Sequence, residues 1–213
     1  MNKKELETRF YIADLETREE NGVGIVEGRP IVFDSIADLG AFSEMISRGA
    51  LDNTDLRDVR LCLNHDTSYV YARSRNNNVN STMRIMPDEL GLRFVAQLNI
   101  KNSPKAQDFY SAIVRKDIDK MSFMFTVEAD EWEGLESDHP TRRITKIGKV
   151  VEISAVTFPA YDSTEISARS KEALESARHE LESAREQRAK SVDTDDSLEL
   201  AKAKYNYLFK NGG

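Results

Sequence analysis

Short apolar runs separated by turn residues fill the chain as far as Ala168. The runs are rich in β-branched and aromatic residues, which favour strands, and turn-forming residues lie between them. The candidate strands are Thr8–Ala13, Gly24–Phe33, Asp58–Asn64, Thr82–Met86, Leu92–Leu98, Met121–Glu128, Arg142–Ile147 and Val150–Phe158. This pattern predicts a body built mainly from β-strands.

Two segments between these runs have the features of helices. Residues Ala41–Arg48 precede Gly49, and glycine is common just after a helix C-terminus. Ser103 and Pro104 combine an N-cap residue with a first-turn proline, so we expect a helix from there to about Arg115. Many strands and few helices predict an antiparallel sheet or barrel flanked by helices, which is an α+β fold.

The segment after Ala168 has a different composition. It contains no proline, and no glycine before Gly212. Its apolar residues recur every three or four positions in two stripes, Leu174-Ala177-Leu181-Ala184 and Leu198-Ala201-Tyr205-Leu208. We therefore divide the chain into a body, residues 1–168, and a charged helical tail, residues 169–213. The tail is either a solvated extension or a pair of amphipathic helices that dock on the body, on each other or on a partner.

Length, charge and cysteine content exclude several classes of protein. The 213 residues accommodate one full domain with an appendage, or two small domains, and the net charge of -7 disfavours a nucleic-acid binder. The single cysteine, Cys62, excludes an internal disulfide framework and fits a reducing compartment. No apolar run reaches the roughly 20 residues that cross a bilayer, and the N-terminus lacks the apolar core of a signal peptide. We expect a cytoplasmic protein without membrane or nucleic-acid partners.

Ser122 is a single serine in the apolar, β-prone run Met121–Val127. Side chains alternate between the two faces of a strand, so Ser122 lies opposite the large side chains of Phe123 and Phe125. Those large side chains suit a core. If the other face lines a cleft, the strand presents the Ser122 hydroxyl there.

A histidine and a carboxylate lie in two other strand-like runs. His65 follows Val59–Leu63, and Glu152 lies in Val150–Phe158, where it shares a face with Ser154. A buried carboxylate needs a partner because its desolvation costs several kcal/mol, and a histidine that becomes cationic would be one. A serine hydroxyl needs a base such as histidine to act as a nucleophile, and a carboxylate orients that histidine. The three residues predict a hydrolytic triad.

Each of these residues also has an ordinary structural interpretation. Ser122 could be a small polar strand residue, and His65 could belong to a turn. Glu152 could pair with Arg142 or Arg143 on a neighbouring strand.

The remaining histidines and the cysteine favour no other chemistry. His139 lies in a loop-like Asp-His-Pro sequence and His179 in the charged tail, so we expect both to face solvent. A strand would point Cys62 away from His65. Three histidines and one cysteine without HExxH or CxxC spacing predict no zinc site, and the absence of a glycine-rich phosphate loop predicts no nucleotide cofactor.

At these residues the chain resembles the bacteriophage prohead protease family, the capsid-maturation serine proteases distantly related to herpesvirus assemblins. The matching segments, in the order of the family, are GRPIVFD (Gly28–Asp34), FSEMISRGA (Phe42–Ala50), LNHD (Leu63–Asp66), DELGLRFVAQL (Asp88–Leu98), MSFMF (Met121–Phe125) and VEISAVTFPAY (Val151–Tyr161). The chain departs from the family at Met124 and Ala72, where glycine is common.

The resemblance implies an assemblin-like antiparallel β-barrel with surrounding helices. It also implies an endopeptidase confined to the assembling procapsid in the host cytoplasm, which cuts scaffold or the scaffold-like arm of the major capsid protein, and often itself. By position, His65 matches the base, Ser122 the nucleophile and Glu152 the third member of the triad. Assemblin-like enzymes are activated by dimerisation, so a homodimer is a further expectation.

Two competing functions use the same residues differently. A non-enzymatic assembly factor would bind capsid or scaffold protein through the β domain and be recruited by its charged tail. A hydrolase of non-peptide esters would share the triad but not the substrate. The oxyanion donors are not evident from the sequence, although the loop at Arg73–Arg75 and the segment Arg142–Arg143 are candidates.

Overall fold

The computed structural model of the protein describes residues 6–11, 15–157, 175 and 178–190. The strands, in chain order, are β1 (Glu7–Tyr11), β2 (Glu16–Glu20), β3 (Val23–Val32), β4 (Ala37–Asp38), β5 (Ser43–Ile46), β6 (Asp58–Leu63), β7 (Ala72–Arg75), β8 (Met83–Asp88), β9 (Gly91–Leu98), β10 (Lys120–Glu133) and β11 (Thr141–Val156). Helix α1 (Pro104–Val114) lies between β9 and β10, and residues 178–190 form helix α2. The prediction of a mainly β fold with helices is confirmed.

The described strands form two sheets. The larger sheet has the order β1-β10-β11-β5-β4, with β6 also paired to β11 and β7 paired to β6. The smaller sheet has the order β2-β3-β9-β8. β11 pairs antiparallel with β10 along one edge, and it pairs in parallel with β5 and then with β6 along the other. The expected sheet is therefore mixed rather than purely antiparallel, and its closure into a barrel stays a prediction.

β11 is a single strand of 16 residues where the sequence predicts two. Gly148 lies between the two predicted strands. In the structure a Cβ at Gly148 would meet Thr126 Oγ1 of β10 at 3.0 Å, so the glycine permits a close approach of two strands rather than a reversal. The pairing register shifts at several points along Met124–Asp130, which shows that β10 is irregular there.

The two sheets and α1 enclose one large apolar core. The aromatic side chains of Phe94, Phe123 and Phe125 are completely buried in it. The predicted α1 is confirmed: the Ser103 hydroxyl accepts a hydrogen bond from the backbone N–H of Ala106, and proline occupies the first turn. The N-terminus of α1 could be predicted from the sequence, because it depends on capping residues that are local in the chain.

The predicted helix at Ala41–Arg48 is wrong, since this segment contains β5. Its apolar residues have helical spacing, but the positions with no exposure at all alternate as Phe42, Glu44 and Ile46, whereas Met45 keeps 9% of its exposure. Glu44 is buried because two arginines distant in sequence, Arg9 and Arg142, neutralise it. A glutamate at a core position therefore concealed the strand pattern.

Four buried charged residues form a closed network that we call the arginine–glutamate ring, consisting of Glu7, Arg9, Glu44 and Arg142. Arg9 lies 2.6 Å from Glu7 and 2.5 Å from Glu44, measured between nitrogen and oxygen atoms. Arg142 lies 2.7 Å from Glu7 and 3.1 Å from Glu44. The ring joins β1, β5 and β11, and it contains two positive and two negative charges. Arg142 also pairs with Asp130 of β10, a partly exposed residue outside the ring, at 2.6 Å.

Helix α2 of the tail packs on the body. Leu181 is nearly buried in a small apolar cluster with Leu39, Phe42 and Leu135. The Arg185 side chain donates hydrogen bonds to the carbonyl oxygens of Leu135, at 3.1 Å, and of Ser137. Docking on the body is thus observed for residues 178–190, whereas the second predicted tail helix lies outside the described residues. Among the helices described, none is long and apolar enough to cross a membrane.

Candidate active site

The turn after β6 carries His65 back over the sheet. Asn64 and His65 both have left-handed backbones, with φ of 51° and 59°. The Asn64 N–H donates to the Ala155 carbonyl at 3.0 Å, and the Asn64 side-chain oxygen accepts from the Thr157 N–H at 3.0 Å. A left-handed conformation costs a residue with a Cβ about 1–2 kcal/mol, so contacts with β11 must hold this turn in place. His65 thus lies in the turn that follows β6, not in the strand.

Glu152 lies toward the C-terminal end of β11 and is completely buried. Its Oε1 atom lies 2.5 Å from Nδ1 of His65. An ionised carboxylate can only accept hydrogen bonds, so Nδ1 carries the proton in this pair and Nε2 is the basic nitrogen. This contact is the one expected between the base and the orienting member of a triad.

The arginines proposed as alternative partners of Glu152 bind elsewhere. Arg142 belongs to the arginine–glutamate ring, and Arg143 pairs with Glu133 at 3.2 Å. Arg142 and Glu152 are also ten positions apart on one strand, which is about 30 Å along β11. The suggestion that the Arg142–Arg143 segment supplies oxyanion donors is therefore wrong.

Ser154 is a further polar residue at this site. The sequence predicted that it shares a strand face with Glu152, but not that it has a role in the site. Its hydroxyl is completely buried, lies 2.5 Å from Oε2 of Glu152, and accepts a hydrogen bond from the His65 backbone N–H at 3.1 Å. The signal in the sequence was the spacing of Glu152 and Ser154 by two residues, which puts both side chains on the same face of a strand.

Ser122 lies on the neighbouring strand β10, directly opposite Ser154 in the pairing of β10 with β11. It is completely buried, and its hydroxyl donates a hydrogen bond to the Arg9 carbonyl of β1 at 2.7 Å. Within the described residues no hydrogen bond joins Ser122 to His65. The structure therefore brings His65, Glu152 and Ser154 into contact. The Ser122 hydroxyl, on the adjacent strand β10, points toward β1 instead.

Cys62 lies on β6, where it pairs with Ser154 from the other side of β11. Burial, together with the nearby charge of Glu152, raises the pKa of the Cys62 thiol to about 12. A thiol with this pKa stays neutral at physiological pH and is a poor nucleophile. Among the side chains on this part of the sheet, the hydroxyls are thus the candidate nucleophiles.

A cavity of about 300 Å³ opens beside the turn that carries His65. Its lining residues are Leu63, Asn64, Asp66, Tyr69 and Tyr71. The Tyr71 ring stacks on Phe109 of α1, with ring centroids 4.1 Å apart, which supports one wall of the cavity. The lining residues Asn64 and Asp66 flank His65 in the chain, so the cavity lies close to the histidine.

The other predicted features lie away from this cluster. His139 bonds to the Ser43 hydroxyl at 3.0 Å and is partly exposed, and His179 is exposed on α2. Arg73 pairs with Asp58 at 2.6 Å. In the part of the chain that the structure describes, no group of three or more histidine, cysteine or acidic side chains could hold a metal ion.

A model of the family described as Caudovirus prohead serine protease matches residues 13–179, which is well over half of the chain. The matched range includes the turn with His65 and both strands that carry Ser122, Glu152 and Ser154. It ends inside the segment that the sequence assigned to the tail. Neither the curated proteins nor the solved structures that were compared match the chain.

Proposed function

The chain belongs to the Caudovirus prohead serine protease family, and on this premise we propose that it is a serine endopeptidase in which Ser122, His65 and Glu152 act together. The observation that carries the assignment of residues is the 2.5 Å contact between buried Glu152 and His65, on the face of the sheet that Ser122 shares. The family role is capsid maturation, so the substrates are proteins of the assembling capsid.

The reaction begins with reorientation of the Ser122 side chain. Its hydroxyl now donates to the Arg9 carbonyl at 2.7 Å. Serine side chains occupy three staggered rotamers, so a rotation about χ1 turns the hydroxyl from β1 toward β11, where the His65 turn lies over Ser154. The resting hydrogen bond to Arg9 is therefore exchanged for one to the imidazole before attack.

Acyl transfer then follows in two stages, formation of an acyl-enzyme and its hydrolysis. The Ser122 oxygen forms a bond to the scissile carbonyl carbon while its proton passes to Nε2 of His65. The imidazolium, held by the Glu152 carboxylate, returns that proton to the amine as the peptide C–N bond breaks. Water attacks the acyl-enzyme by the same route, which releases the acid product and restores the Ser122 hydroxyl. The cavity beside His65 accommodates a side chain of the substrate.

The proposed substrates are the scaffold protein, or the scaffold-like arm of the major capsid protein, and the protease chain itself. Cleavage takes place inside the procapsid in the host cytoplasm, because earlier activity would destroy the scaffold before assembly. A homodimer is part of the proposal. Sedimentation of the purified protein at decreasing concentrations tests it, because a dimer dissociates to monomers on dilution. Robust cleavage by a dilute monomer would contradict the dimer.

Co-expression with the capsid and scaffold proteins tests the proposal. Wild type is compared with Ser122→Ala and with Ser74→Ala, a control that removes another fully buried hydroxyl, which bonds to Asn77. We expect processed capsid or scaffold protein with wild type and the control, and a loss of about 10⁶-fold in turnover for Ser122→Ala. Equal processing by wild type and Ser122→Ala would exclude Ser122 as the nucleophile.

Labelling of the purified protein with a fluorophosphonate separates the competing functions. Modification of Ser122 supports a serine hydrolase, and profiling with capsid and scaffold proteins distinguishes a protease from an esterase. The bond between Ser122 and the Arg9 carbonyl is the one observation that favours a non-enzymatic assembly factor. That function predicts binding to capsid protein with neither labelling nor processing, both before and after assembly.

A further inference from the structure

We propose that Ser154 is a positioning residue for the reaction, because one hydroxyl holds both the Glu152 carboxylate and the backbone of His65. This inference rests on the proposed function. Ser154 does not touch the reacting atoms. It acts on the histidine and on the carboxylate, and it thereby sets the place and the direction of the base.

The hydrogen-bond directions at Ser154 follow from the chemistry of its partners. The backbone N–H of His65, 3.1 Å away, can only donate, so it uses a lone pair of the Ser154 oxygen. The hydroxyl proton therefore points to Oε2 of Glu152 at 2.5 Å. Each oxygen of the carboxylate thus has its own donor, Nδ1 of His65 for Oε1 and the Ser154 hydroxyl for Oε2.

Both contacts matter because both partners are difficult to place. Glu152 is completely buried, and a buried carboxylate that loses a donor bears a large desolvation cost. His65 has a left-handed backbone, and its N–H donates to the side chain of Ser154 rather than to a backbone carbonyl. Removing the Ser154 hydroxyl therefore frees one carboxylate oxygen and one end of the strained turn at the same time.

The position of Ser154 in the sheet explains why a small side chain is needed there. It pairs with Ser122 of β10 on one side and with Cys62 of β6 on the other. The Ser122 hydroxyl has to turn across β11 toward the imidazole, so a bulky residue at 154 would enter that space. Serine combines the small size with a donor and an acceptor.

The test uses the full chain and measures the rate at which a fluorophosphonate inactivates each variant over a range of reagent concentrations. For Ser154→Ala we expect the limiting inactivation rate to fall about 10- to 100-fold, the scale for losing a partner that orients a functional histidine. The reagent concentration for half-maximal rate should stay unchanged, because the hydroxyl does not contact the reagent. Ser154→Thr, which keeps the hydroxyl, should recover most of the rate.

A second readout follows the histidine directly. The proton between Nδ1 of His65 and Glu152 should give a downfield proton NMR signal, which we expect to shift or broaden in Ser154→Ala but not in the buried-serine control Ser74→Ala. If Ser154→Ala does not fold, Ser154→Cys keeps the size with a weaker donor and should show the same loss. A lower melting temperature with unchanged rate and unchanged signal would overturn the positioning role.

The two proposals fail in different ways. If Ser122→Ala abolishes capsid processing, and the fluorophosphonate inactivates Ser154→Ala at the wild-type rate, the protease assignment stands and the role of Ser154 is wrong. If Ser122→Ala processes normally, the protease assignment is wrong. In that case the downfield proton signal of His65 decides about Ser154. If the signal is unchanged in Ser154→Ala, the positioning role is also wrong. If it shifts or broadens, Ser154 still supports the His65–Glu152 pair.

Discussion

Two groups of buried polar side chains lie toward opposite ends of β11, and they solve the same physical problem differently. Near its end, Glu152 bonds to His65 and Ser154. Near its start, Arg142 belongs to the arginine–glutamate ring. Both groups bury a carboxylate that has no exposure at all, Glu152 in one and Glu44 in the other. They differ in the group that compensates its charge.

The ring uses guanidinium groups, which never lose their protons in proteins. Burial alone would lower the pKa of Arg9, but the carboxylates of Glu44 and Glu7 outweigh it and the pKa is raised. The ring is therefore a permanent set of balanced charges, suited to holding β1, β5 and β11 together. The partner of Glu152 is instead an imidazole, whose Nδ1 contacts the carboxylate and whose second ring nitrogen, Nε2, would take the proton in the proposed reaction.

The two regions meet at Arg9. Its side chain belongs to the ring, and its carbonyl oxygen accepts the hydrogen bond from Ser122 at 2.7 Å. The structural group thus fixes the strand against which the candidate nucleophile rests. Substitutions in either region should show whether the division between chemistry and stability is real.

Among the substitutions that compare the two groups, the largest effect is expected from Glu152→Gln. The amide keeps the shape of the side chain but presents a donor to Nδ1, which favours the wrong tautomer of His65, and an analogous change in a serine protease lowers kcat about 10⁴-fold. Capsid processing and the fluorophosphonate rate measure the loss. Activity within about tenfold of wild type would mean that Glu152 has only a structural role, like Glu44.

Arg142→Met should instead act on stability. It leaves Glu7 and Glu44 with Arg9 as their remaining ring cation, and breaking a buried ion pair costs about 3–5 kcal/mol. The matched control is Arg143→Met on the same strand, where a partly exposed arginine pairs with Glu133 and the cost should be below about 1 kcal/mol. Urea unfolding measures both. Equal costs would show that the ring contributes no more than a surface pair.

The contribution of the ring should depend on pH through Glu7. Burial would raise the pKa of this carboxyl, but the charges and hydrogen bonds of Arg9 and Arg142 outweigh it and bring the pKa below its usual 4.5. A lowered pKa adds stability above about pH 4.5, and that stability is lost as the pH falls through the folded-state value. The difference in unfolding free energy between wild type and Arg142→Met should therefore shrink in acid. A difference that stays constant down to pH 3 would contradict this linkage.

The smallest effect is expected at the rim of the ring, from Glu180 on α2. Burial, and then the charge of Glu7, raises the pKa of the Glu180 carboxyl, although Arg142 lies 3.8 Å away. A raised pKa means that stability falls as the pH rises through the folded-state value, the opposite of Glu7. Glu180→Gln should make α2 slightly more resistant to limited proteolysis at pH 8 than wild type. Glu186→Gln, at an exposed position of the same helix, is the control and should change nothing.

The elements that sequence predicted best are those with local causes. The N-terminus of α1 follows from the hydroxyl of Ser103 and the ring of Pro104. The strand alternation at Met121–Phe125 placed Phe123 and Phe125 in the core, where both are completely buried. These features depend on neighbours along the chain, so the sequence contains the information needed to find them.

The elements that sequence missed depend on distant partners. The strand β5 was hidden by Glu44, whose burial makes sense only when Arg9 and Arg142 are beside it. The turn that returns His65 to the sheet needs the carbonyl of Ala155 and the hydroxyl of Ser154. No local pattern reports such contacts, because they join residues that are dozens of positions apart.

The sequence by itself determined the inventory of chemistry: a serine on a strand face, a histidine after a strand, and a glutamate among apolar residues, in motifs that resemble one family. Tertiary structure decided which of these groups touch. It joined His65 to Glu152, introduced Ser154 between them, and turned the Ser122 hydroxyl toward Arg9. The physical reason is that residue type and alternation follow from local sequence, whereas strand pairing and charge compensation depend on parts of the chain that meet only in the folded protein.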